Sequence, residues 1–332
     1  MLNIVRGAEA NTAIIVNMKI AVLNESFLKE EHLARLRQLG DVTVYTDTED
    51  EAKAIERLKD VDVAVADCWL TPLKETVFVH TPQLKYVTLN STGYDQVDLE
   101  GAKKYNIAIA NVPGFSTEGV AEHAIALLFA VVRHIPAANA AMRTQPFQVD
   151  PADSSNMVYL GSDLRGKTMG IVGLGQIGTR VAELAQGLGM NVVAYNRTPR
   201  VVAGVKMATL DELLAQSDIV SLNTAFSDEL ANLIDADSLQ KMKSSAYLIN
   251  TARGGLVDDE ALAHALQNKT IAGAGLDVIN DWSKSNPLLS LDNVVLTPHI
   301  AYLTVESLDN MAQVIVENIE GFVRGEKPNV VS

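Results

Sequence analysis

The stretch Thr168-Met-Gly-Ile-Val-Gly-Leu-Gly-Gln-Ile-Gly178 decides the fold, because it joins an apolar strand to a helix through a glycine pattern. Within the pattern, Gly173 allows a tight turn, Gly175 lets the backbone approach a pyrophosphate, and Gly178 lets helix and strand pack closely. The N-terminus of the helix adds N–H donors and a positive dipole that favour phosphate groups. The stretch therefore predicts the phosphate-binding turn of a dinucleotide site.

The next predicted strand covers residues 191–195. Asn196 follows it, about 20 residues beyond the glycines, where an NAD site has an Asp or Glu that binds the ribose 2′-hydroxyl. This chain has Asn196 instead, followed by Arg197, Thr198 and Arg200. A carboxylate would repel a 2′-phosphate, whereas guanidinium groups bind phosphate well. The sequence therefore predicts a preference for NADP(H) over NAD(H). The alternative is that these arginines are solvated surface charges.

Short β-branched runs alternate with longer segments of helical periodicity, in one series that starts at Met18 and another that starts at Thr168. Such alternation predicts βαβ units, mostly parallel sheets and helices on both faces of each sheet. The predicted fold class is α/β with two doubly wound parallel-sheet domains, the first flavodoxin-like and the second a Rossmann domain. The Rossmann domain is predicted to span residues 112–300. The other domain is predicted to combine residues 18–111 and 301–332, after an N-terminal extension at residues 1–17.

The segment that links the two series contains a predicted helix and a predicted loop. The helix begins at Ser116 or Thr117, and its apolar stripe includes Val120, Ala124 and Leu127. That stripe fits either a core helix or an arm that contacts a second copy of the chain. Residues 142–163 are polar and unpatterned, which predicts a surface loop.

The composition excludes several classes of protein. A net charge of −14 over 332 residues opposes binding to nucleic acid. The longest apolar run, residues 124–132, is far short of the ~20 residues that cross a membrane. Cys68 is the single cysteine, which rules out an intrachain disulfide and a cysteine-based zinc cluster, and no metal site is predicted. Residues 1–17 make a poor signal peptide, so we expect a cytoplasmic protein.

Two further motifs, Leu248-Ile-Asn-Thr-Ala-Arg-Gly-Gly-Leu-Val-Asp258 and Leu296-Thr-Pro-His-Ile-Ala301, resemble the signature blocks of the D-isomer-specific 2-hydroxyacid dehydrogenases. The resemblance covers nearly the whole chain after Met18. Ser91-Thr-Gly93 and Asn286-Pro-Leu-Leu289 lean toward the glycerate dehydrogenase and hydroxypyruvate/glyoxylate reductase branch. The resemblance implies a homodimeric enzyme that transfers a hydride between NADP(H) and a small 2-oxo acid or D-2-hydroxy acid, such as glyoxylate or hydroxypyruvate.

By that resemblance, Arg253 is the substrate-binding and catalytic arginine, and His299 is the catalytic acid and base. A 2-oxo acid has a carboxylate beside a carbonyl, which one guanidinium group can clamp and polarise. A histidine with the ordinary pKa of ~6.5 can give a proton to the carbonyl oxygen near neutral pH. The resemblance also implies that Ser91, Thr92 and Gly93 bind the substrate, and that the backbone N–H groups of Thr92 and Gly93 hold its carboxylate.

The resemblance further implies that Asp277 meets the nicotinamide side of the cofactor. The predicted cofactor contacts are, in full, Gly173, Gly175, Gln176, Ile177, Gly178, Asn196, Arg197, Thr198, Arg200, Thr251, Ala252 and Asp277. The other five histidines are predicted to be structural or solvent-facing; they are His32, His80, His123, His134 and His264.

Two positions depart from the family pattern. The family places a glutamate that orients and charges the histidine five residues after the aspartate matching Asp277, and this chain has Trp282 there. Asp281, the nearest carboxylate, is predicted to replace that glutamate as the catalytic partner of His299. The alternatives are that Trp282 forms an apolar wall and His299 works without a charged partner, or that a carboxylate elsewhere serves. Asn223-Thr-Ala225 also replaces the usual His-x-Pro, which alters the adenine-side wall.

Three functions compete on these observations. The first is a reductase of small 2-oxo acids, which retention of Arg253 and His299 favours. The second is an NAD(P)-binding regulator with weak or no catalysis, because some members of the family act as corepressors and the loss of the glutamate suits that role. The third is a related dehydrogenase for formate or phosphite.

Overall fold

The computed structural model describes residues 18–24, 27–144 and 154–332. The chain divides into two units, one that runs up to Phe115 and resumes at Leu308–Ser332, and one formed by Ser116–Ser307. The sequence placed these two changeovers after residues 111 and 300, so both fall slightly later in the structure. The predicted N-terminal extension, residues 1–17, lies outside the described residues.

The first unit is a parallel sheet with helices between its strands. In chain order its elements are β1 (Met18–Leu23), α1 (Glu30–Arg37), β2 (Gly40–Tyr45), α2 (Glu51–Leu58), β3 (Val63–Ala66), α3 (Glu75–Phe78), β4 (Tyr86–Leu89), α4 (Leu99–Lys104) and β5 (Ala108–Ala110). The five strands lie in the order β2-β1-β3-β4-β5. This is the flavodoxin-like order that the sequence predicted.

The two central strands of this sheet show why the sequence folds this way. Every residue of β3 and β4 is buried, as expected of parallel strands covered on both faces by helices. Helix α2 begins where the Asp50 side chain accepts a hydrogen bond from the Lys53 N–H at 2.8 Å, a cap of the kind that stabilises helix starts by ~1 kcal/mol.

The second unit contains the glycine motif. In chain order its elements are α5 (Thr117–Val132), α6 (Ile135–Thr144), a 3-10 turn (Ser154–Tyr159), β6 (Thr168–Val172), α7 (Gln176–Gly187), β7 (Asn191–Tyr195), β8 (Val205–Met207), α8 (Leu210–Gln216), β9 (Ile219–Leu222), α9 (Ala236–Lys241), β10 (Tyr247–Asn250), α10 (Asp259–Gln267), β11 (Gly273–Leu276) and β12 (Val294–Leu296). The strand order β8-β7-β6-β9-β10-β11-β12 follows the Rossmann arrangement with one additional strand.

Helix α5 lies directly on β11, because two glycines in that strand leave room for it. A Cβ atom added at Gly275 would lie 3.0 Å from Leu127 Cβ, and one added at Gly273 would lie 2.9 Å from Val131 Cγ2. The helix therefore runs antiparallel to the strand, with its buried stripe on the sheet. Of the two roles that the sequence left open for α5, the structure gives it the core role.

The last helix, α11 (Val305–Val323), contributes its residues from Leu308 onward to the first unit. Within that unit, the Phe322 ring stacks on Tyr86 with 4.5 Å between centroids, and Asn318 Nδ2 donates to Thr88 Oγ1 at 3.0 Å. In the parts of the chain that the structure describes, no single helix is long and apolar enough to cross a membrane. Helices α5 and α6 reach that length and composition only as a pair, with a 59° bend between them.

Candidate active site

The glycine loop between β6 and α7 is built so that only glycine fits at two of its positions. Gly173 has a φ of +93°, a conformation that side chains rarely adopt, and a Cβ there would lie 2.8 Å from the backbone of Asn223. A Cβ on Gly178 would lie 2.0 Å from the Gly173 carbonyl oxygen. A Cβ on Gly175 would meet nothing within 4 Å, so open space lies beside that part of the backbone.

Several polar atoms without a hydrogen-bond partner in the described residues lie at the sheet edge that bears the glycine loop. The first backbone bond of α7 runs from Thr179 N to Gly175 O at 2.9 Å, which leaves the N–H groups of Gln176, Ile177 and Gly178 available to a ligand. Asn223 Oδ1 and Thr251 Oγ1 are buried and have no hydrogen-bond partner among the described residues. Because buried polar atoms are nearly always paired, these atoms point to a missing ligand. Its phosphate oxygens would meet the N–H groups and its hydroxyls the buried oxygens, so the residues present fit a dinucleotide.

Asn196, at the end of β7, ties the glycine loop to the turn that follows the strand. Its Oδ1 accepts from Leu174 N at 2.9 Å, and its Nδ2 donates to the Thr198 carbonyl at 2.5 Å. Arg197 and Arg200 are exposed, and neither forms an ion pair with any residue in the described ranges. Arg200 Nη1 makes one long contact of 3.4 Å with the Leu174 carbonyl. Two guanidinium groups thus stand near the loop with their charge uncompensated by the chain.

Arg253 follows the carboxyl end of β10, where a buried asparagine shapes its turn. Asn250 is fully buried; its Nδ2 donates to the Arg253 carbonyl at 2.9 Å and its Oδ1 accepts from Ala252 N at 3.0 Å. The Arg253 guanidinium donates from Nη1 to the Ala252 carbonyl at 2.9 Å. Thr251 and Ala252, both predicted cofactor contacts, therefore lie in the turn that orients Arg253.

His299 follows β12 and is held in a strained backbone conformation. Its φ is +56°, which is uncommon for a residue with a side chain, and its N–H donates to the Asp277 carbonyl at 2.9 Å. The Tyr302 ring meets the imidazole edge-on at 6.0 Å between centroids. Burial lowers the pKa of His299 below its ordinary value, the Asp277 carboxylate opposes this, and the Arg253 guanidinium adds to it. The Arg253 guanidinium is therefore near enough to His299 to act on the charge of its imidazole.

Asp277, at the end of β11, uses its carboxylate to hold the turn around His299. The side chain is fully buried; Oδ1 accepts from Thr297 Oγ1 at 2.6 Å and from Ile300 N at 2.9 Å, and Oδ2 accepts from Ala301 N at 2.9 Å. These bonds fix the backbone on the far side of His299. The predicted contact of Asp277 with nicotinamide stays a prediction.

The structure does not bring Asp281 to His299. The Asp281 carboxylate is exposed and accepts from the backbone N–H and the hydroxyl of Ser283, at 2.8 and 2.6 Å. These two bonds lower the pKa of Asp281. A carboxylate that does act on His299 is Asp277. The Asp281 side chain is short and its hydrogen-bond donors lie two residues along the chain, so it caps its own turn. The neighbouring Trp282 is 55% exposed.

The loop from Asn280 to Asn286 is held by a buried carboxylate that the sequence analysis did not single out. Asp259 Oδ2 accepts from Asn280 N at 3.0 Å, from Asp281 N at 3.1 Å and from Asn286 Nδ2 at 2.7 Å. Its partners lie more than twenty positions away along the chain, so no local pattern marks Asp259. This clamp sets the position of Trp282.

In the first unit, the segment Ser91–Gly93 is fastened on both sides and leaves two N–H groups available. Ser91 Oγ donates to the Gly93 carbonyl at 2.7 Å, Thr92 Oγ1 donates to the Val112 carbonyl at 2.7 Å, and Asn111 Nδ2 donates to the Thr92 carbonyl at 2.8 Å. The backbone N–H groups of Thr92 and Gly93 have no acceptor within the described part of the chain. A rigid pair of free N–H groups suits a carboxylate.

His123 lies beside the turn that carries His299, a position that the sequence does not indicate. Its Nε2 lies 2.9 Å from Thr297 Oγ1 and 3.5 Å from Asp277 Oδ1. It is one of the histidines predicted to be structural or solvent-facing, and no local pattern marks its contact because Thr297 is 174 positions away along the chain. Across residues 18–24, 27–144 and 154–332, no group of three or more His, Cys, Asp or Glu side chains is placed to hold a metal ion.

A Rossmann sheet with a glycine loop, an arginine and a histidine at one edge defines a dinucleotide-dependent oxidoreductase. Comparison with known proteins identifies the family. Residues 125–301 match the family model described as D-isomer specific 2-hydroxyacid dehydrogenase, NAD binding domain. The chain is 37% identical over 324 residues to a glyoxylate reductase of Korarchaeum cryptofilum, covering 95% of this chain and 96% of that one.

A hydroxypyruvate reductase of Blautia hydrogenotrophica is 34% identical, over 95% of this chain and all of its own. Among solved structures, an acyclic imino acid reductase in complex with NADPH and D-Arg superposes with a TM-score of 0.87 at 35% identity, over 95% of this chain and all of that one. The chain therefore belongs to the D-isomer-specific 2-hydroxyacid dehydrogenase family, which confirms the resemblance and the fold class predicted from the sequence.

Proposed function

We propose that this protein reduces small 2-oxo acids of the glyoxylate and hydroxypyruvate type to D-2-hydroxy acids with NADPH. The observation that carries the proposal is the placement of Arg253 and His299 after the carboxyl ends of β10 and β12, at the sheet edge that bears the glycine loop. In this proposal the unit Ser116–Ser307 binds the cofactor.

The chemistry assigns a task to each side chain. When bound, the reduced nicotinamide supplies the hydride that reaches the carbonyl carbon. Arg253 clamps the carboxylate and polarises the neighbouring carbonyl, since one planar guanidinium can bond both groups. His299 gives its proton to the carbonyl oxygen, which becomes the hydroxyl of the product. The N–H groups of Thr92 and Gly93 fix the substrate carboxylate, which leaves the carbonyl as the reacting group.

The proposed preference for NADP(H) rests on the turn after β7. Asn196 contributes no negative charge beside the expected ribose position, and its amide is already engaged with Leu174 and Thr198. Arg197 and Arg200 are exposed and form no ion pair with a described residue, so both guanidinium groups can bind a 2′-phosphate. Thr198 adds a hydroxyl beside them.

The direct test is the rate of NADPH oxidation at 340 nm with glyoxylate, hydroxypyruvate, pyruvate and phenylpyruvate, repeated with NADH. We expect turnover with the small 2-oxo acids and a higher kcat/KM with NADPH. Arg253→Ala is expected to lose both substrate affinity and turnover, while Arg37→Ala, at an exposed arginine paired with Glu30, keeps both. An Arg253→Ala enzyme with near-normal kcat/KM contradicts the assignment of that residue. No turnover with any 2-oxo acid favours instead an NAD(P)-binding regulator.

Reduction of 2-imino acids is a second candidate, favoured by two observations. A solved relative of 35% identity is an acyclic imino acid reductase, and burial lowers the pKa of His299. A protonated imine already carries the proton that a carbonyl must take from the histidine, so its reduction depends less on an ionised imidazole. Pyruvate with methylamine tests this candidate: formation of N-methylalanine supports it, and formation of lactate alone rejects it.

We also propose that the protein is a homodimer in the cytoplasm. Helix α6 has no buried residue, and large apolar side chains on α6 and in residues 157–160 are between 52% and 69% exposed; they are Ile135, Met142, Met157, Val158 and Leu160. A surface of this kind ordinarily marks an interface, and a second copy of the chain would cover it. A lone cysteine suits a reducing compartment.

A further inference from the structure

His123 reaches the active-site turn because of how α5 lies on β11. Along the helix, Val131 contacts Gly273, Leu127 contacts Gly275, and His123 contacts Asp277. Each step of four helical residues advances about 6 Å, close to the advance of two strand residues. The two glycines therefore set a register that places His123 at the carboxyl end of the strand, beside Asp277.

Counting protons at Thr297 fixes the direction of the hydrogen bonds. The Thr297 hydroxyl has a single hydrogen, and its 2.6 Å bond to Asp277 Oδ1 uses that hydrogen, since a carboxylate only accepts. The 2.9 Å bond between Thr297 Oγ1 and His123 Nε2 must then be donated by the imidazole. His123 therefore carries a proton on Nε2, and that N–H lies 3.5 Å from the buried carboxylate.

The carboxylate at the end of this chain of bonds holds a strained residue in place. Asp277 bonds the backbone N–H groups of Ile300 and Ala301 through its two oxygens, and its carbonyl accepts from His299 N. A φ of +56° is costly for histidine and persists only where surrounding bonds over-determine it. The orientation of the His299 imidazole thus depends on the position of the Asp277 carboxylate.

We propose that His123 is a positioning residue for His299, acting through Thr297 and Asp277 without touching substrate or cofactor. The proposal rests on the proposed function, in which His299 is the proton donor. The imidazole N–H of His123 pins the Thr297 oxygen and stabilises the buried negative charge of Asp277. Without that N–H, the carboxylate shifts, and the turn that carries His299 loses its fixed geometry.

The test compares two substitutions that differ in one property. His123→Leu keeps bulk and removes the donor, whereas His123→Gln keeps an N–H donor. We expect His123→Leu to lower kcat for 2-oxo acid reduction roughly tenfold, as for loss of a hydrogen bond in a charged network, with unchanged NADPH affinity by calorimetric titration. His123→Gln is expected to recover most of the rate. His264→Leu, at an exposed histidine on α10, serves as the matched control and leaves kcat unchanged.

A double-mutant cycle separates positioning through Thr297 from a general loss of packing. In a Thr297→Val background the hydroxyl is gone, so His123→Leu is expected to cause no further fall in kcat. Additive losses, or equal rates for His123→Leu and His123→Gln, overturn the proposal.

A measurement without substrate keeps the proposal separate from the proposed function. The pKa of His299, followed by NMR of selectively labelled histidines and assigned with His299→Gln, is expected to fall in His123→Leu, because a displaced Asp277 carboxylate no longer favours the charged imidazole. It is expected to return toward the wild-type value in His123→Gln. An unchanged His299 pKa in His123→Leu contradicts the proposal even if the protein reduces no 2-oxo acid.

Discussion

At the scale of single residues, the active site depends on a histidine that the chain holds in an unfavourable conformation. His299 sits at a φ of +56° because Asp277 bonds the backbone at residues 299, 300 and 301. The same carboxylate favours the charged imidazole, while burial and Arg253 disfavour it. Asp277 therefore contributes both to the backbone position of His299 and to its proton affinity.

The lowered pKa of His299 predicts the pH dependence of reduction. Only the protonated imidazole can give a proton to the carbonyl oxygen, so kcat/KM is expected to fall as pH rises through a pKa below the ordinary ~6.5 of histidine. His299→Gln is expected to lack this limb and to lower kcat by ~10²–10⁴, with NADPH affinity retained. A wild-type profile that stays flat up to pH ~8 contradicts the role of His299 as the acid.

The choice of cofactor is also decided by a few residues. In Asn196→Asp combined with Arg197→Ala, the aspartate keeps an oxygen for Leu174 N but repels a 2′-phosphate that has lost one of its guanidinium partners. We expect the ratio of kcat/KM for NADPH to that for NADH to fall roughly 10- to 100-fold, as for a charge-assisted hydrogen bond. A wild-type enzyme that already favours NADH rejects this account of the turn.

At the scale of elements, one clamp determines what the loop after β11 can do. Asp259 holds Asn280, Asp281 and Asn286, and the loop presents Trp282 where the family has a glutamate. Trp282→Ala is expected to raise kcat/KM for phenylpyruvate relative to glyoxylate, because a bulky wall is removed. Asp259→Ala is expected to shift the ratio the same way, because the loop loosens.

Asp281→Asn is the matched control for the loop, because its carboxylate bonds only Ser283 among the described residues. It is expected to leave both the substrate ratio and the pH profile of kcat/KM unchanged. A substrate ratio that stays the same in Trp282→Ala argues against a wall at this position. A pH profile shifted by Asp281→Asn restores Asp281 as the partner of His299.

The sequence predicts elements well where a local pattern exists. The strand 168–172, the glycine loop and the strand 191–195 are found at the predicted residues, because buried parallel strands and glycine turns leave strong local signals. Strand β8 was not predicted, since three half-buried or exposed residues at a sheet edge show no periodicity. The predicted loop at 142–163 begins inside α6, a helix with no buried face to mark it.

Contacts between distant parts of the chain could not be predicted in the same way. The motifs containing Arg253 and His299 are visible as strings of letters, whereas the bonds from His123 to Thr297 and from Asp259 to Asn286 depend on how helices lie on the sheet. The prediction of Asp281 as the partner of His299 is such a case, because the structure shows the Asp281 carboxylate bonded to Ser283 instead. Asp281 is nearer along the sequence to the expected position, whereas Asp277 is a carboxylate whose charge acts on His299.

At the scale of the whole molecule, an apolar surface on the second unit predicts how copies assemble. Because α6 buries none of its own residues, aspartate at Ile135 and Val158 is expected to leave the fold intact and to block a dimer that buries this surface. Light scattering after size exclusion is expected to give twice 35.8 kDa for the wild type and 35.8 kDa for the double variant. Val79→Asp, at an exposed residue of the first unit, serves as the control and stays dimeric.

The central claim is that the chain transfers a hydride to the carbonyl carbon of a 2-oxo acid and makes the D-hydroxy acid. Incubation of hydroxypyruvate with NADPH that carries deuterium at both C4 positions of the nicotinamide tests this claim most directly. We expect glycerate of D configuration with deuterium at C2, formed in proportion to the NADP⁺ produced. Glycerate without deuterium at C2, glycerate of L configuration, or oxidation of NADPH without glycerate would contradict the account.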